Sequence, residues 1–217
     1  MTDGLDVLIW PLAAGVVLAV IHAWLGLHVL SRGVVFVDLA LAQIAALGIT
    51  IATIAGHAAG SEEAYTYGLA FALAGALLFA WLRAHEHALP QEAVIGIVYA
   101  VAAALAVIAL DRAPQGAESI KQLLIGTLVT VTPGEVSIIA SLYVVIGIVH
   151  GLFRRQLIAA SFGAPSFRWD AVFYATFAIV VTSSVRIAGV LLVFAYLIVP
   201  AALASLVVKS LSARFII

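Results

Sequence analysis

The longest apolar run of the chain extends from Phe173 to Val208 and contains a single formal charge, Arg186, and a single proline, Pro200. About 20 helical residues cross a bilayer core about 30 Å thick. The run, about 36 residues long, is too long for one ordinary span and fits two short spans. We expect the break at Ser183–Gly189, where the charge, small polar residues and a glycine coincide. An arginine in such surroundings is costly and usually marks a pathway or a buried pair.

The composition extends this reading to the whole chain. Of its 217 residues, 65% are hydrophobic and only 10% are charged, whereas soluble domains have about 25% charged residues. The sequence therefore predicts an all-α fold, a polytopic membrane bundle that forms one transmembrane domain over residues 1–217. The net charge of −1 gives no basic surface for a nucleic acid. Because the chain has no cysteine, it has neither disulfides nor thiolate ligands.

Hydrophobic runs predict about seven membrane crossings and one shorter element. Leu123–Val131 is too short to span and ends at a helix-breaking Thr-Pro-Gly sequence, so we expect a re-entrant or interfacial helix there. Arginine and lysine lie in alternate loops, which places the N-terminus outside and the C-terminus inside. The seven predicted spans are 7–30, 34–56, 67–83, 93–110, 134–153, 171–184 and 188–208.

Asp38, at the start of the second predicted span, is the best candidate for a residue on an ion path. On a helix it shares one face with Ala42 and Ala45, whereas Gln43 lies about 140° away. One interpretation is a carboxylate that lines a cation path beside small residues, with Gln43 as a weaker second ligand. The other is an acid that favours the helix dipole and pairs with Arg32.

Several further polar residues have a structural and a functional interpretation. Glu92 suits an ordinary helix start, and the sequence His85-Glu86-His87 suits either a solvated loop or a zinc or manganese site. Arg186 either binds an acidic partner inside the bundle or lies at the outer interface between two short helices. Pro200 predicts a kink that could serve gating, since a membrane helix tolerates proline when its neighbours satisfy the freed carbonyl.

The sequence contains no Walker lysine loop, no HExxH zinc helix and no serine elbow. We therefore expect no enzyme activity from this chain. If it transports a solute, the energy comes from another subunit or from an ion gradient.

Three parts of the chain resemble the permease subunits of zinc-, manganese- and iron-type ABC importers, the ABC-3 family. The first is SRGVVFVDLALAQIAALG (Ser31–Gly48), a basic turn followed by an acid-bearing, alanine-rich helix. The second combines EAVIGIVYAVAAALAV (Glu92–Val107) with KQLLIGTLVTVTPGEV (Lys121–Val136). The third is VRIAGVLLVFAYLIVPAALASL (Val185–Leu206), an apolar run that includes Pro-Ala-Ala and is the most specific of the three.

This resemblance implies a multi-pass permease of the prokaryotic plasma membrane, with the translocation path along a homodimer interface. It implies a cytoplasmic ABC ATPase that hydrolyses ATP, an extracytoplasmic metal-binding protein, and a divalent metal as cargo with no permanently bound cofactor. The ATPase would contact the segment Arg154–Asp170, although a plain positive-inside loop explains its arginines equally well. The expected coupling residues are Arg154, Arg155, Phe162 and Arg168.

The chain also departs from the family pattern. The family commonly has a histidine one turn after the second-helix acid, where this chain has Ala42, and the expected coupling segment is short. The chain stops soon after Lys209, where the family usually continues, so we expect that it lacks C-terminal helices. Two alternatives follow: a stand-alone ion-gradient carrier or channel, or a truncated membrane subunit that does not transport.

Overall fold

The computed structural model describes residues 6–85, 90–110, 125–163 and 165–207. These residues form seven α-helices and one 3-10 turn, without a strand in the described part, and this confirms the all-α prediction. The helices are α1 (Asp6–Arg32), α2 (Val37–Ile54), α3 (Glu62–Ala84), α4 (Gln91–Leu110), α5 (Pro133–Leu152), α6 (Arg154–Phe162) and α7 (Phe167–Val207). All except α6 are long and apolar enough to cross a membrane.

Two helices begin at clear sequence signals. The Ser61 hydroxyl accepts a hydrogen bond from the backbone N–H of Ala64 (3.2 Å) and caps α3. At α5, Thr132 and Glu135 form a reciprocal capping box, and Pro133 occupies the first turn. Such caps satisfy N–H groups that the first helical turn leaves without partners.

The longest helix, α7, is two helices in one. Gly189 has φ 74° and ψ 161°, a conformation that is essentially restricted to glycine. Asp170 binds Arg32 of α1, and Ala201 packs against Gly26 of the same helix. A straight helix would separate Asp170 and Ala201 by about 46 Å, whereas Gly26 and Arg32 lie about 9 Å apart. The chain therefore folds back at Gly189, as the sequence predicts. With the two halves of α7 counted separately, the described residues contain seven candidate crossing segments.

The backbone of Gly126 and Thr127 packs against α7 at this break. The Thr127 N–H donates to the carbonyl of Ile187 (2.8 Å), and Gly126 packs directly against the Ala188–Gly189 peptide. Within the predicted short helix Leu123–Val131, the structure has a 3-10 turn at Leu128–Thr130. Residues 123 and 124 lie outside the described residues.

The helices pack closely where glycines allow it. A Cβ on Gly26 of α1 would lie 2.0 Å from the Leu197 carbonyl oxygen of α7, and one on Gly48 of α2 would lie 2.8 Å from the Tyr67 carbonyl oxygen of α3. Small residues at crossings are typical of helix packing in membranes. The largest fully buried side chains include four aromatic ones: Phe79, Tyr174, Phe173 and Phe177.

The two ends of the bundle differ in charge. The end formed by the C-termini of α1 and α3, by α6 and by the start of α7, here the basic end, carries Arg32, Arg83, Arg154, Arg155 and Arg168. The opposite, acidic end carries Glu62, Glu63, Glu135 and Arg186. The arginine-bearing loops that the positive-inside rule assigns to the cytoplasmic side therefore lie together at one end of the described bundle.

Candidate translocation site

Asp38 lies in the first turn of α2 and is almost completely buried, with 2% of its surface exposed. Neither carboxylate oxygen has a hydrogen-bond partner within the residues that the structure describes. The alternative that paired Asp38 with Arg32 is wrong, because Arg32 turns toward Asp170 at the start of α7. A buried carboxylate without a partner is costly, and this cost needs a functional explanation.

A second carboxylate lies beside Asp38. Glu92, in the first turn of α4, accepts a hydrogen bond from the backbone N–H of Phe36 (3.0 Å), the residue that precedes α2. Its other carboxylate oxygen is buried and has no partner in the described part of the chain. The charges of Asp38 and Glu92 are close enough to interact. The α2–α4 junction therefore holds two acids with unsatisfied buried oxygens.

The remaining α2 positions follow the helical geometry expected from the sequence. Ala42 and Ala45 are buried on the same face as Asp38, whereas Gln43 is half-buried and projects in another direction. The bond from Phe36 to Glu92 thus brings a second acid to the start of α2, whereas Gln43 lies on another face of the helix. No group of three or more histidine, cysteine or carboxylate side chains forms a metal site among the described residues.

The histidine cluster of the sequence is only partly described. His85 directly follows α3 and bonds through Nδ1 to the Trp81 carbonyl (2.8 Å). Glu86 and His87 lie outside the described residues, as do Lys209 and the residues after it.

Arg186 lies at the acidic end, three residues before the break in α7. It donates to Glu62 (3.3 Å), and its guanidinium lies 5.5 Å from the centre of the Tyr65 ring. The side chains of Arg186 and Glu62 are 45% and 80% exposed. This placement corresponds to the interfacial interpretation of Arg186.

Pro200 lies within the second half of α7, which continues as a helix to Val207. Proline cannot donate to the carbonyl of Tyr196, four residues earlier. The structure has non-helical backbone angles inside α7 at Gly189 and not at Pro200, where the sequence predicts a kink.

The expected coupling segment forms helix α6 and the connection to α7. Arg154, Arg155, Phe162 and Arg168 are all exposed. The Arg168 guanidinium lies 5.3 Å from the centre of the Trp169 ring. Four exposed residues at the basic end form a surface that another protein could contact.

The family model for the ABC 3 transport family matches residues 4–217. The chain belongs to this family. No curated protein matches the sequence. The fold is similar to that of PsaBC from Streptococcus pneumoniae in complex with Fab, with a TM-score of 0.76 and 21% identity over 99% of this chain and 79% of that one. A structure described as an inward-facing conformation of a metal-chelate type ABC transporter has a TM-score of 0.58 and 14% identity over 94% and 80% of the two chains.

One buried polar network of this ABC 3 family chain was not expected from its sequence. Asp170 binds Arg32 and Arg83, with 3.4 Å from Arg83 Nε to the carboxylate, and the side chain of Asp170 is fully buried. One sequence feature could have revealed this network: Asp170 is the only acid between Arg154 and Arg186. An acid that faces several arginines of the same predicted end should pair with them.

A second polar group links three membrane helices of this family member. Trp24 Nε1 of α1 donates to His150 Nδ1 of α5 (3.1 Å), and the other ring nitrogen bonds to Thr176 of α7 (2.8 Å). His150 is 1% exposed. The His150 ring therefore lies between α1, α5 and α7.

Proposed function

We propose that this chain is the membrane permease subunit of an ATP-driven ABC importer for divalent metal ions. Its membership of the ABC 3 transport family and its similarity in fold to PsaBC support this proposal. The observation that carries the metal part is the pair Asp38 and Glu92: both oxygens of Asp38 and one oxygen of Glu92 are buried without a partner in the described part of the chain.

The chemistry of this pair bears on the cargo, which is zinc, manganese or iron. Carboxylate oxygens are suitable ligands for manganese, whereas the imidazole of histidine is a suitable ligand for zinc and iron. Asp38 is followed one turn later by Ala42 rather than by a histidine. The oxygen donors therefore favour manganese, and Asp38 carries the ion while Glu92 shares its charge.

The energy and the substrate come from partners in this proposal. The sequence contains no Walker lysine loop, so a cytoplasmic ABC ATPase hydrolyses ATP, and an extracytoplasmic metal-binding protein delivers the ion. Two copies of the permease form the path in a prokaryotic plasma membrane. The metal is the substrate, and the permease has no permanently bound cofactor.

The exposed face of α6 is the docking surface for the ATPase in this proposal. Arg154 and Arg155 begin the helix, Phe162 ends it, and Arg168 follows at the start of α7. Because α6 lies at the basic end, a cytoplasmic protein reaches it without entering the bilayer. The path can open at Gly189, where the backbone of α7 leaves the helix, and at Pro200, which leaves the Tyr196 carbonyl without its helical donor.

The test is metal uptake into proteoliposomes that contain the permease and its ATPase. We expect uptake of manganese that requires ATP and stops when the ATPase carries a hydrolysis-dead substitution. Uptake that persists with the inactive ATPase would contradict the importer and favour the gradient-driven carrier. If assembled complexes hydrolyse ATP without transport, the chain is a non-transporting subunit.

The metal path has its own pair of variants. Asp38→Asn removes the buried charge at nearly constant size, and we expect uptake to fall at least tenfold because the ion loses its main carboxylate. Glu135→Gln is the matched control, since Glu135 is a half-buried acid in the first turn of another helix, α5, where its carboxylate bonds to Thr132. Equal uptake by the two variants would remove Asp38 from the path.

A further inference from the structure

The inner face of α6 is held by a serine whose hydroxyl group has its full set of hydrogen bonds. Ser161 donates to the Leu157 carbonyl (2.9 Å) and accepts from His28 Nδ1 (2.8 Å) and from Arg32 Nε (3.1 Å). A hydroxyl group offers one donor and two acceptor positions, and all three are used here. Ser161 therefore fixes the C-terminal end of α6 to α1.

A second arginine binds the same end of α6. The guanidinium of Arg83, from α3, donates to the Ala160 carbonyl (2.9 Å). Cations are favourable near helix C-termini, where backbone carbonyls lack helical partners. Two membrane helices thus reach the end of α6, while Arg154 and Arg155 at its start stay exposed.

Asp170 connects this attachment to the broken helix. Its Oδ1 accepts a hydrogen bond from Arg32 and forms an ion pair with Arg83 at 3.4 Å, while Oδ2 accepts the backbone N–H of Ser166 (3.0 Å) directly before α7. The two arginines that hold α6 therefore also hold the first turn of the helix that breaks at Gly189. Among the described residues, this is a continuous polar connection from α6 to α7.

The network is buried and carries more positive than negative charge. The side chains of Arg32 and Asp170 are fully buried and that of Arg83 is 8% exposed. The Arg32 guanidinium also lies 4.1 Å from the centre of the Phe173 ring and 5.4 Å from that of Tyr174, where the ring faces attract a cation. Bonds in such a site are less screened than surface contacts, so displacement of one member affects the others.

We infer that Ser161, Arg83 and Asp170 are positioning residues that transmit displacement of α6 to α7. This inference rests on the proposed function, in which the ATPase grips the exposed face of α6. The attachment at Ala160 and Ser161 makes the C-terminal end of α6 the point at which this motion passes to α1 and α3. Through Asp170, the motion reaches the first half of α7 and the break at Gly189.

The experiment measures metal transported per ATP hydrolysed by the complete permease–ATPase complex. Ser161→Ala leaves two buried donors without their acceptor, and we expect the ratio to fall about tenfold, within the range of typical coupling free energies. ATPase binding and basal hydrolysis should stay unchanged, because the exposed face of α6 is intact. Ser161→Thr, which keeps the hydroxyl group, should restore the ratio.

Ser141→Ala is the matched control. The Ser141 hydroxyl also donates to a carbonyl four residues earlier, that of Ser137 (2.7 Å), but it is exposed on α5. A ratio unchanged in Ser161→Ala, or lowered equally in Ser141→Ala, would overturn the inference. A purely structural role would instead lower the amount of folded permease without changing the ratio.

A second readout is independent of transport. The chain has no cysteine, so a spin label at Gln156→Cys, exposed on α6, reports the mobility of that helix alone. We expect greater mobility in Ser161→Ala than in the parent and in Ser141→Ala. Absence of transport by the unmodified complex would refute the proposed function, whereas unchanged label mobility would refute the attachment of α6.

Discussion

Each end of the bundle has an arginine in an ion pair, but the pair is buried at the basic end and exposed at the acidic end. At the basic end, Arg32 is buried against Asp170, and side chains join α1, α3, α6 and α7. At the acidic end, Arg186 and Glu62 are exposed, and backbone contacts at Gly189 join the chain segments. The packing of the basic end therefore depends on buried charges. The packing of the acidic end depends on glycines, which have no side chain and let two backbone segments meet.

The largest stability effect is expected from Asp170→Asn at the basic end. The substitution leaves two buried arginines without a counter-charge, and loss of one partner of a buried ion pair costs about 3–5 kcal/mol. Thermal unfolding of the purified permease measures this loss. The control Glu62→Gln removes an acid from an exposed pair, and equal destabilisation by both variants would contradict the contrast between the ends.

Gly126→Ala is the corresponding test at the acidic end. A Cβ at this position would lie 2.4 Å from the Ala188 carbonyl carbon, and Gly126 has φ +72°. The left-handed conformation costs about 1–2 kcal/mol, and overpacking adds about 1–3 kcal/mol. We expect a lower unfolding temperature and weaker protection of the α7 break from hydrogen exchange.

Gly147→Ala is the control for that substitution. A Cβ on Gly147 of α5 would meet nothing within 4 Å, and alanine is a better helix former than glycine. Its stability should be unchanged or slightly higher. If Gly126→Ala behaved in the same way, the backbone contact would not hold the break closed.

The sequence predicted the acidic end better than the basic end. The break within Ser183–Gly189 follows from the length of an apolar run and from a glycine, both of which are local signals. The partner of Arg32 could not be found in this way, because Asp38 is near in sequence whereas Asp170 is near in space. Side-chain pairing across distant helices depends on their rotation, which apolar sequences specify weakly.

The candidate site shows the same limit. The sequence singled out Asp38, and the structure adds the burial of its oxygens. Glu92 had only a helix-start interpretation, since its contact with the start of α2 depends on how α2 and α4 cross. Gln43 was named for its proximity in sequence, but it points away from Asp38.

Asp38→Asn compares two buried acids within the basic end. Asp170 is paired and stabilises the fold, whereas Asp38 has no partner among the described residues. Replacing its carboxylate with a neutral amide should raise the free energy of unfolding by about 1–2 kcal/mol. Single substitutions commonly stabilise a protein by this amount where a residue is kept for function at the expense of stability. A stabilised variant with lost uptake would separate function from stability, and a destabilised variant would show that Asp38 supports the fold.

Arg186→Gln is expected to have the smallest effect on stability. Together with Arg32→Gln, it compares an exposed arginine with a buried one. Exposed ion pairs contribute about 0.2–1 kcal/mol and are screened by salt. The unfolding temperature should therefore change little, and the small difference should disappear at high ionic strength. Arg32→Gln should instead destabilise the permease at every salt concentration, because its partner Asp170 is buried. If Arg186→Gln destabilised the permease as strongly, the acidic end would also depend on charge, and an exposed arginine would matter as much as a buried one.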